Sequence, residues 1–158
     1  MKAKITIKWD EIQQQIDLKT FYMGESAKRR DADADTIQSC TDDMELLQMF
    51  ANQASNTLVS AVAFRSPLVN YSIDSKNITF MFETAGNNND NMLPMLQQAI
   101  LDYLVNEIMM LWLLHRQPQM AQTAISLRTA LYQNVMQLFY KLCIKKKMRR
   151  RATDLAGI

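Results

Sequence analysis

At 158 residues the chain has the length of one domain, enough for folding to bury roughly 68–70% of the surface that the unfolded form exposes. Apolar residues make up 48% and charged residues 22%, which excludes a wholly disordered chain, and three Gly and three Pro against twelve Met favour long helices over a turn-rich sandwich. The formal net charge is only +2, but it is unevenly distributed.

In chain order, Ile5, Ile7 and Trp9 alternate with Thr6 and Lys8, the period-two pattern of a half-buried strand. Asp10 is placed to cap a short helix with Ile12, Ile16 and Lys19 along one side. From residue 23 to 40 the composition is polar, with Lys28, Arg29 and Arg30 followed by Asp31, Asp33 and Asp35, and predicts an exposed connection. Thr41-Asp42-Asp43-Met44-Glu45 then reads as a helix start, with Asp42 and Glu45 spaced for reciprocal capping. Leu47, Phe50, Ala51, Ala54, Leu58, Ala61 and Val62 recur at three- and four-residue steps, so this helix is expected to reach about Phe64, where Ser66-Pro67 stops it.

Val69, Tyr71 and Ile73, then Asp74-Ser75-Lys76-Asn77, then Ile78, Phe80 and Phe82 describe a β-hairpin with one apolar face. A lone hairpin is marginal in water, so it must pack on the helices, pair with the N-terminal strand or join a neighbouring subunit. After the polar run Asn87, Asn88, Asn89, Asp90 and Asn91, a third helix tolerates Pro94 in its first turn and continues through Leu96, Ile100, Tyr103, Leu104, Ile108, Leu111 and Trp112 to about Arg116. Residues 108–114 are apolar all round and need surrounding, by this domain or by a neighbouring copy. Pro118 opens a fourth helix carrying Ala121, Ala124, Ile125, Arg128, Leu131, Tyr132, Val135, Leu138, Phe139 and Leu142. The connection is so short that the last two helices must be antiparallel.

The fold class expected is therefore mainly α: a bundle of about four helices, the two long C-terminal ones antiparallel, with a short N-terminal strand and a β-hairpin. Residues 1–144 form one helical domain with the hairpin inserted at about 68–83, and 145–158 form a basic C-terminal tail. Residues 99–114 are interrupted by Asp102, Asn106 and Glu107 and fall short of the ~20 residues of a membrane span, so they predict a core helix and no membrane partner. The first eight residues hold no apolar run of signal-peptide length, and Cys40 and Cys143 form no CxxC or Cys/His cluster. Both cysteines read as reduced thiols in a cytoplasmic setting.

Chemistry has few candidates. His115 is the sole histidine, so a Ser/His/Asp or Cys/His mechanism has one residue to draw on, and at a helix end this one reads as capping or packing. Asp31, Asp33 and Asp35 lack the glycine and terminal glutamate of a calcium loop. Asp102 and Glu107 stand about 140° apart around a helix, too far to share a substrate, and are expected to mark a wetter side or to meet cations across a subunit contact. No phosphate-binding glycine loop or G-x-S-x-G turn occurs. The expectation is a non-enzymatic protein with no cofactor, no metal site and no catalytic residues.

The strongest charge feature is Lys141, Lys145, Lys146, Lys147, Arg149, Arg150 and Arg151, seven cations within eleven residues. The other 11 basic residues face 16 acidic ones, so the rest of the chain carries a formal −5. Such a run stabilises a helix C-terminus and solubilises a tail, or meets phosphates or an acidic protein surface with salt-sensitive affinity. The second reading is favoured.

The stretch Asp42-Asp43-Met44-Glu45-Leu46-Leu47, continuing through Ala51 and Ala54 to Leu58, resembles the first long helix of the head–tail connector (adaptor) proteins of tailed bacteriophages. The helix ending Leu111-Trp112-Leu113-Leu114-His115-Arg116 is similar to that family's second long helix, with its aromatic and basic end. The chain departs from the simplest family pattern in the strand and long stretch before the acidic helix and in the apolar hairpin between the long helices. The resemblance implies a structural virion-assembly protein: a homo-oligomeric, dodecameric ring between the portal and the neck or tail, assembled in the bacterial host cytoplasm and resident in the virion neck. Its partners would be the portal protein and a neck or tail protein. Lys141, Lys145, Lys146, Lys147, Arg149, Arg150 and Arg151 would dock on the portal or line a DNA passage, and Asn87, Asn88, Asn89, Asp90 and Asn91 would form an inter-subunit loop. A nucleic-acid-binding helical module acting through the basic terminus is the alternative, and a plain oligomeric scaffold the third reading. No compact recognition helix after a short turn is present to support base readout.

Overall fold

The computed structural model describes residues 2–28, 43–63, 70–84 and 92–142. The architecture is mainly helical, as the periodicity predicts, with one small sheet. Strand β1 (Lys2–Lys8) runs directly into helix α1 (Trp9–Lys28). Helix α2 (Met44–Ala63), the hairpin strands β2 (Asn70–Ile73) and β3 (Asn77–Glu83), and helix α3 (Met92–Arg116) follow. A 3-10 turn (Pro118–Ala121) then leads into helix α4 (Gln122–Leu142).

The hairpin pairs with the N-terminal strand of its own chain, in an antiparallel sheet of order β1-β3-β2. Register follows the apolar alternation: Ile5 lies opposite Phe80, Ile7 opposite Ile78, and Tyr71 and Ile73 flank the same two residues from the other side. Those side chains face the helices, whereas Lys2, Lys4, Thr6 and Lys8 of β1, Asn77, Thr79, Met81 and Glu83 of β3, and Asn70 and Ser72 of β2 face away. The turn is tied by Asp74, whose carboxylate accepts the Lys76 and Asn77 amide N–H groups, each at 2.7 Å. Those two bonds, helped by the charges of Lys76 and Lys4, hold the Asp74 carboxyl below the ordinary aspartate value.

A single apolar core gathers residues from every strand and every long helix. Trp9, Ile12 and Ile16 enter it from α1, Leu47, Phe50 and Leu58 from α2, and Phe80 and Phe82 from the sheet. Helix α3 is the central element, buried along Leu96, Ile100, Tyr103, Leu104, Ile108 and Trp112. The stretch 108–114, apolar on all sides, is enclosed largely by this chain itself, with Ile108, Trp112 and Leu113 sealed and Leu114 left exposed.

Four local expectations need correction. Helix α1 is not short: it extends through residues 23–28, where the polar composition predicts a connection, because Met23 packs on the core while Glu25 is exposed. It starts at Trp9, so Asp10 lies inside the first turn, where its charge complements the helix dipole, instead of capping it. The buried stripe continues to Thr20, eight residues beyond Ile12, and leaves Lys19 exposed; the Thr20 hydroxyl donates to the Ile16 carbonyl at 2.8 Å. The proline-led start of the fourth helix is likewise one 3-10 turn before the α-helix proper.

Candidate functional site

Helices α3 and α4 fold back as an antiparallel pair, fixed by the Gln117 amide donating to the Leu113 carbonyl at 2.7 Å. Their register brings a small polar cluster into the contact. Asn106, buried, donates its side-chain amide to the Ala124 carbonyl at 3.0 Å. One turn on, Glu107 meets Arg128, with Nε and Oε1 2.7 Å apart. The N–H is poorly aimed at that oxygen, so the contact is an ion pair more than a hydrogen bond. The Glu107 side chain is 5% exposed and that of Arg128 50%, so the carboxylate bears nearly all the desolvation. Burial raises the Glu107 pKa, and Arg128 only partly opposes it. Tyr103, one turn before Glu107 and 6.1 Å from the Tyr132 ring, is pushed up to about 12 by burial and then by the Glu107 charge.

Glu107 therefore finds its cation inside the same chain. Asp102 instead lies at the half-buried side of α3 and accepts the Gln98 side-chain amide at 2.8 Å. The two carboxylates do not converge.

The two segments that carry the connector resemblance meet in space. His115 stacks on Phe50, with rings 5.5 Å apart and 15° from parallel. Arg116 lies 4.7 Å above the Trp112 ring and pairs with Asp43 at 3.8 Å. This joins the start of α2 to the end of α3, and gives His115 a packing role. Beside it, a groove of about 560 Å³ runs between α2 and β2, lined by Glu45, Gln48, Met49, Asn52, Tyr71 and Ile73, with the Tyr71 hydroxyl donating to Asn52 at 2.8 Å. A second groove, of about 450 Å³, lies where β1 and α1 meet α3, among Glu11, Gln15, Gln97 and Gln98.

Among the described residues no three His, Cys, Asp or Glu side chains gather as a metal ion would require, and no helix is long and apolar enough to cross a membrane. Both grooves are lined mainly by carboxamides, carboxylates and apolar groups; the one hydroxyl among these lining residues, that of Tyr71, is held by Asn52.

Of the charged tail, Lys141 is described: it is exposed in the last turn of α4, where a cation suits the dipole. Lys145, Lys146, Lys147, Arg149, Arg150 and Arg151 lie outside the described residues, as do Asn87, Asn88, Asn89, Asp90 and Asn91, Cys40, Cys143, and the acidic Asp31, Asp33 and Asp35. The sheet supplies what sequence reading missed. Its outer face carries Lys2, Lys4 and Lys8, while on the inner face Phe139, near the end of α4, packs edge-on against Phe82 at 5.4 Å. The alternating lysines of β1 were the available signal.

A third surface is apolar. Leu18, Phe21 and Tyr22 project from α1 on its solvent side, with Phe21 and Tyr22 in edge contact at 5.8 Å. Compared with protein-family models, with curated proteins and with solved structures, the chain matches none of them.

Proposed function

We propose that this chain is a non-catalytic assembly subunit of the head–tail connector type, a homo-oligomer whose copies pack through the outer faces of their helices. The observation that carries the reading is the Leu18, Phe21 and Tyr22 stripe on α1, three of the nine large apolar side chains exposed among the described residues and the ones that cluster on successive turns with two rings in contact. Scattered exposed apolar residues are ordinary, but adjacent ones on successive turns of one helix are the usual mark of a contact surface. The connector class is supported by the acidic start of α2 and the aromatic, basic end of α3, which the fold brings together through Asp43–Arg116 and Phe50–His115. In this reading the ring sits at the virion neck, between the portal and a neck or tail protein, and the tail cations from Lys141 to Arg151 dock on the portal or line the DNA passage.

The test is imaging and mass measurement of the purified chain, alone and with a portal protein. Rings that persist at high salt, and that lose portal docking when residues 145–158 are deleted, support the reading. A monomer that leaves the portal untouched rejects it. The density of cations in the tail favours a second reading, a nucleic-acid-binding module, and a monomer that binds DNA through 145–158 alone would be its signature.

A further inference from the structure

We infer that the open face of the β-sheet is a binding surface for the phosphodiester backbone of duplex nucleic acid. This surface is distinct from the basic tail and does not depend on whether the chain forms rings. The inference rests on where the register places charge. In β1 the even-numbered positions face away from the helices, and three of the four are lysines: Lys2, Lys4 and Lys8, all exposed. Strand geometry spreads them over about 20 Å at a two-residue repeat of ~6.8 Å. One strand of duplex presents about six phosphates over that length, at ~3.4 Å of axial rise each.

Between and beside the lysines the face offers small hydrogen-bonding groups. Thr6 lies opposite Thr79, and Thr79 opposite Ser72, so a row of three hydroxyls crosses the sheet. Thr79, at its centre, is shielded, at 8% exposure, and Thr6, Asn77 and Glu83 are half-buried, while Lys2, Lys4, Lys8, Asn70, Ser72 and Met81 are exposed among the described residues. Glu83, opposite Lys2, is the single carboxylate among the outward strand positions. A face that is net positive and largely exposed among the described residues, with short hydroxyls to approach phosphate oxygens, complements a polyanion.

The chemistry further narrows the partner. No aromatic side chain lies on the outward side of the sheet, so it has no platform on which unpaired bases could stack, and contact is limited to the backbone. Binding is therefore sequence-tolerant, favours duplex over single strand and weakens steeply with salt. An acidic protein is the competing partner, but it would need a matching array of carboxylates, whereas duplex offers its charges at a fixed, closely spaced repeat.

The experiment uses the full chain and a fluorescein-labelled 20-base-pair duplex of mixed sequence, read by anisotropy across a sodium chloride series. The variants are the triple K2Q/K4Q/K8Q, which leaves the tail intact, and E83Q. The triple variant is expected to flatten the slope of log affinity against log salt by about 2.7, three phosphate contacts at ~0.9 each, and to weaken binding at least tenfold at low salt. E83Q is expected to tighten binding two- to fivefold, and it decides the matter should the triple variant misfold by circular dichroism. An unchanged slope in a folded triple variant, an unchanged affinity in E83Q, or wild-type affinity for poly-glutamate equal to that for duplex would each overturn the inference.

Discussion

Replacing Arg128 by alanine tests whether burial or pairing governs the α3–α4 contact. At the observed 2.7 Å, Coulomb's law gives about 1.5 kcal/mol at the dielectric of water and about 6 kcal/mol at an effective value of ~20. Because the guanidinium is half in water and the carboxylate nearly dry, the loss on Arg128→Ala is set near the lower end, at about 2 kcal/mol. Glu107→Gln has a different outcome: it removes the buried charge, leaves Arg128 free to hydrate, and changes stability by less than about 1 kcal/mol. Acid supplies a further signature. Arg128 opposes the burial that raises the Glu107 pKa, so in Arg128→Ala that pKa rises further above the ordinary 4.5. A carboxyl with a raised folded pKa contributes stability below its unfolded value and loses it as pH rises through the folded one. The Arg128→Ala penalty is thus largest where Glu107 is ionised in both forms and shrinks as acid protonates it. Urea denaturation of both variants at pH 7 and pH 4.5 reads these quantities. An Arg128→Ala penalty below about 0.5 kcal/mol at neutral pH, or one indifferent to acid, would refute the reasoning.

Other outcomes follow from the same packing. Tyr103 ionises only near 12 in the folded chain against 10.0 for an ordinary tyrosine, so the folded state holds its proton longer and stability falls as pH rises from 10 to 12; Tyr103→Phe removes that part of the alkaline decline in a melting series. The Ser55 hydroxyl is buried in α2 with no hydrogen-bond partner among the described residues, and Ser55→Ala is expected to raise stability by about 1 kcal/mol in chemical denaturation. Leu104, sealed at the centre of α3, is expected to cost about 2–5 kcal/mol on truncation to alanine, with a matching drop in the denaturation midpoint.

Much of the fold is legible in the chain because its local signals agree. The three- and four-residue steps of Leu47, Phe50, Ala54 and Leu58, and the alternation of Ile78, Phe80 and Phe82, each fit a single period and a single buried face. Where the signals diverge, tertiary contacts decide. Residues 23–28 look like a linker by composition, yet Met23 has core to pack on and the helix carries through. The Glu107–Arg128 pair lies beyond sequence reading because its register depends on the offset imposed by the Gln117–Ala121 connection, which no periodicity encodes. The basic sheet face is similarly hidden. Lys2, Lys4 and Lys8 read as the wet side of a strand, and only the pairing of β1 with β3 shows that the strand belongs to an open sheet whose other side is sealed. The uncovered Leu18, Phe21 and Tyr22 also escape a pattern search, which seeks the face that is buried and not the one left over.

Association between copies is the claim on which the functional reading depends, and the α1 stripe is where it is most directly tested. Sedimentation velocity of the full chain, beside a variant carrying Phe21→Asp and Tyr22→Asp, measures it over a range of concentrations. The account predicts one closed oligomer of fixed mass for the unaltered chain and a folded monomer for the variant, since charge placed on a desolvated contact blocks its closure. A chain that sediments as a monomer throughout, or a variant that assembles as the parent does, would contradict it.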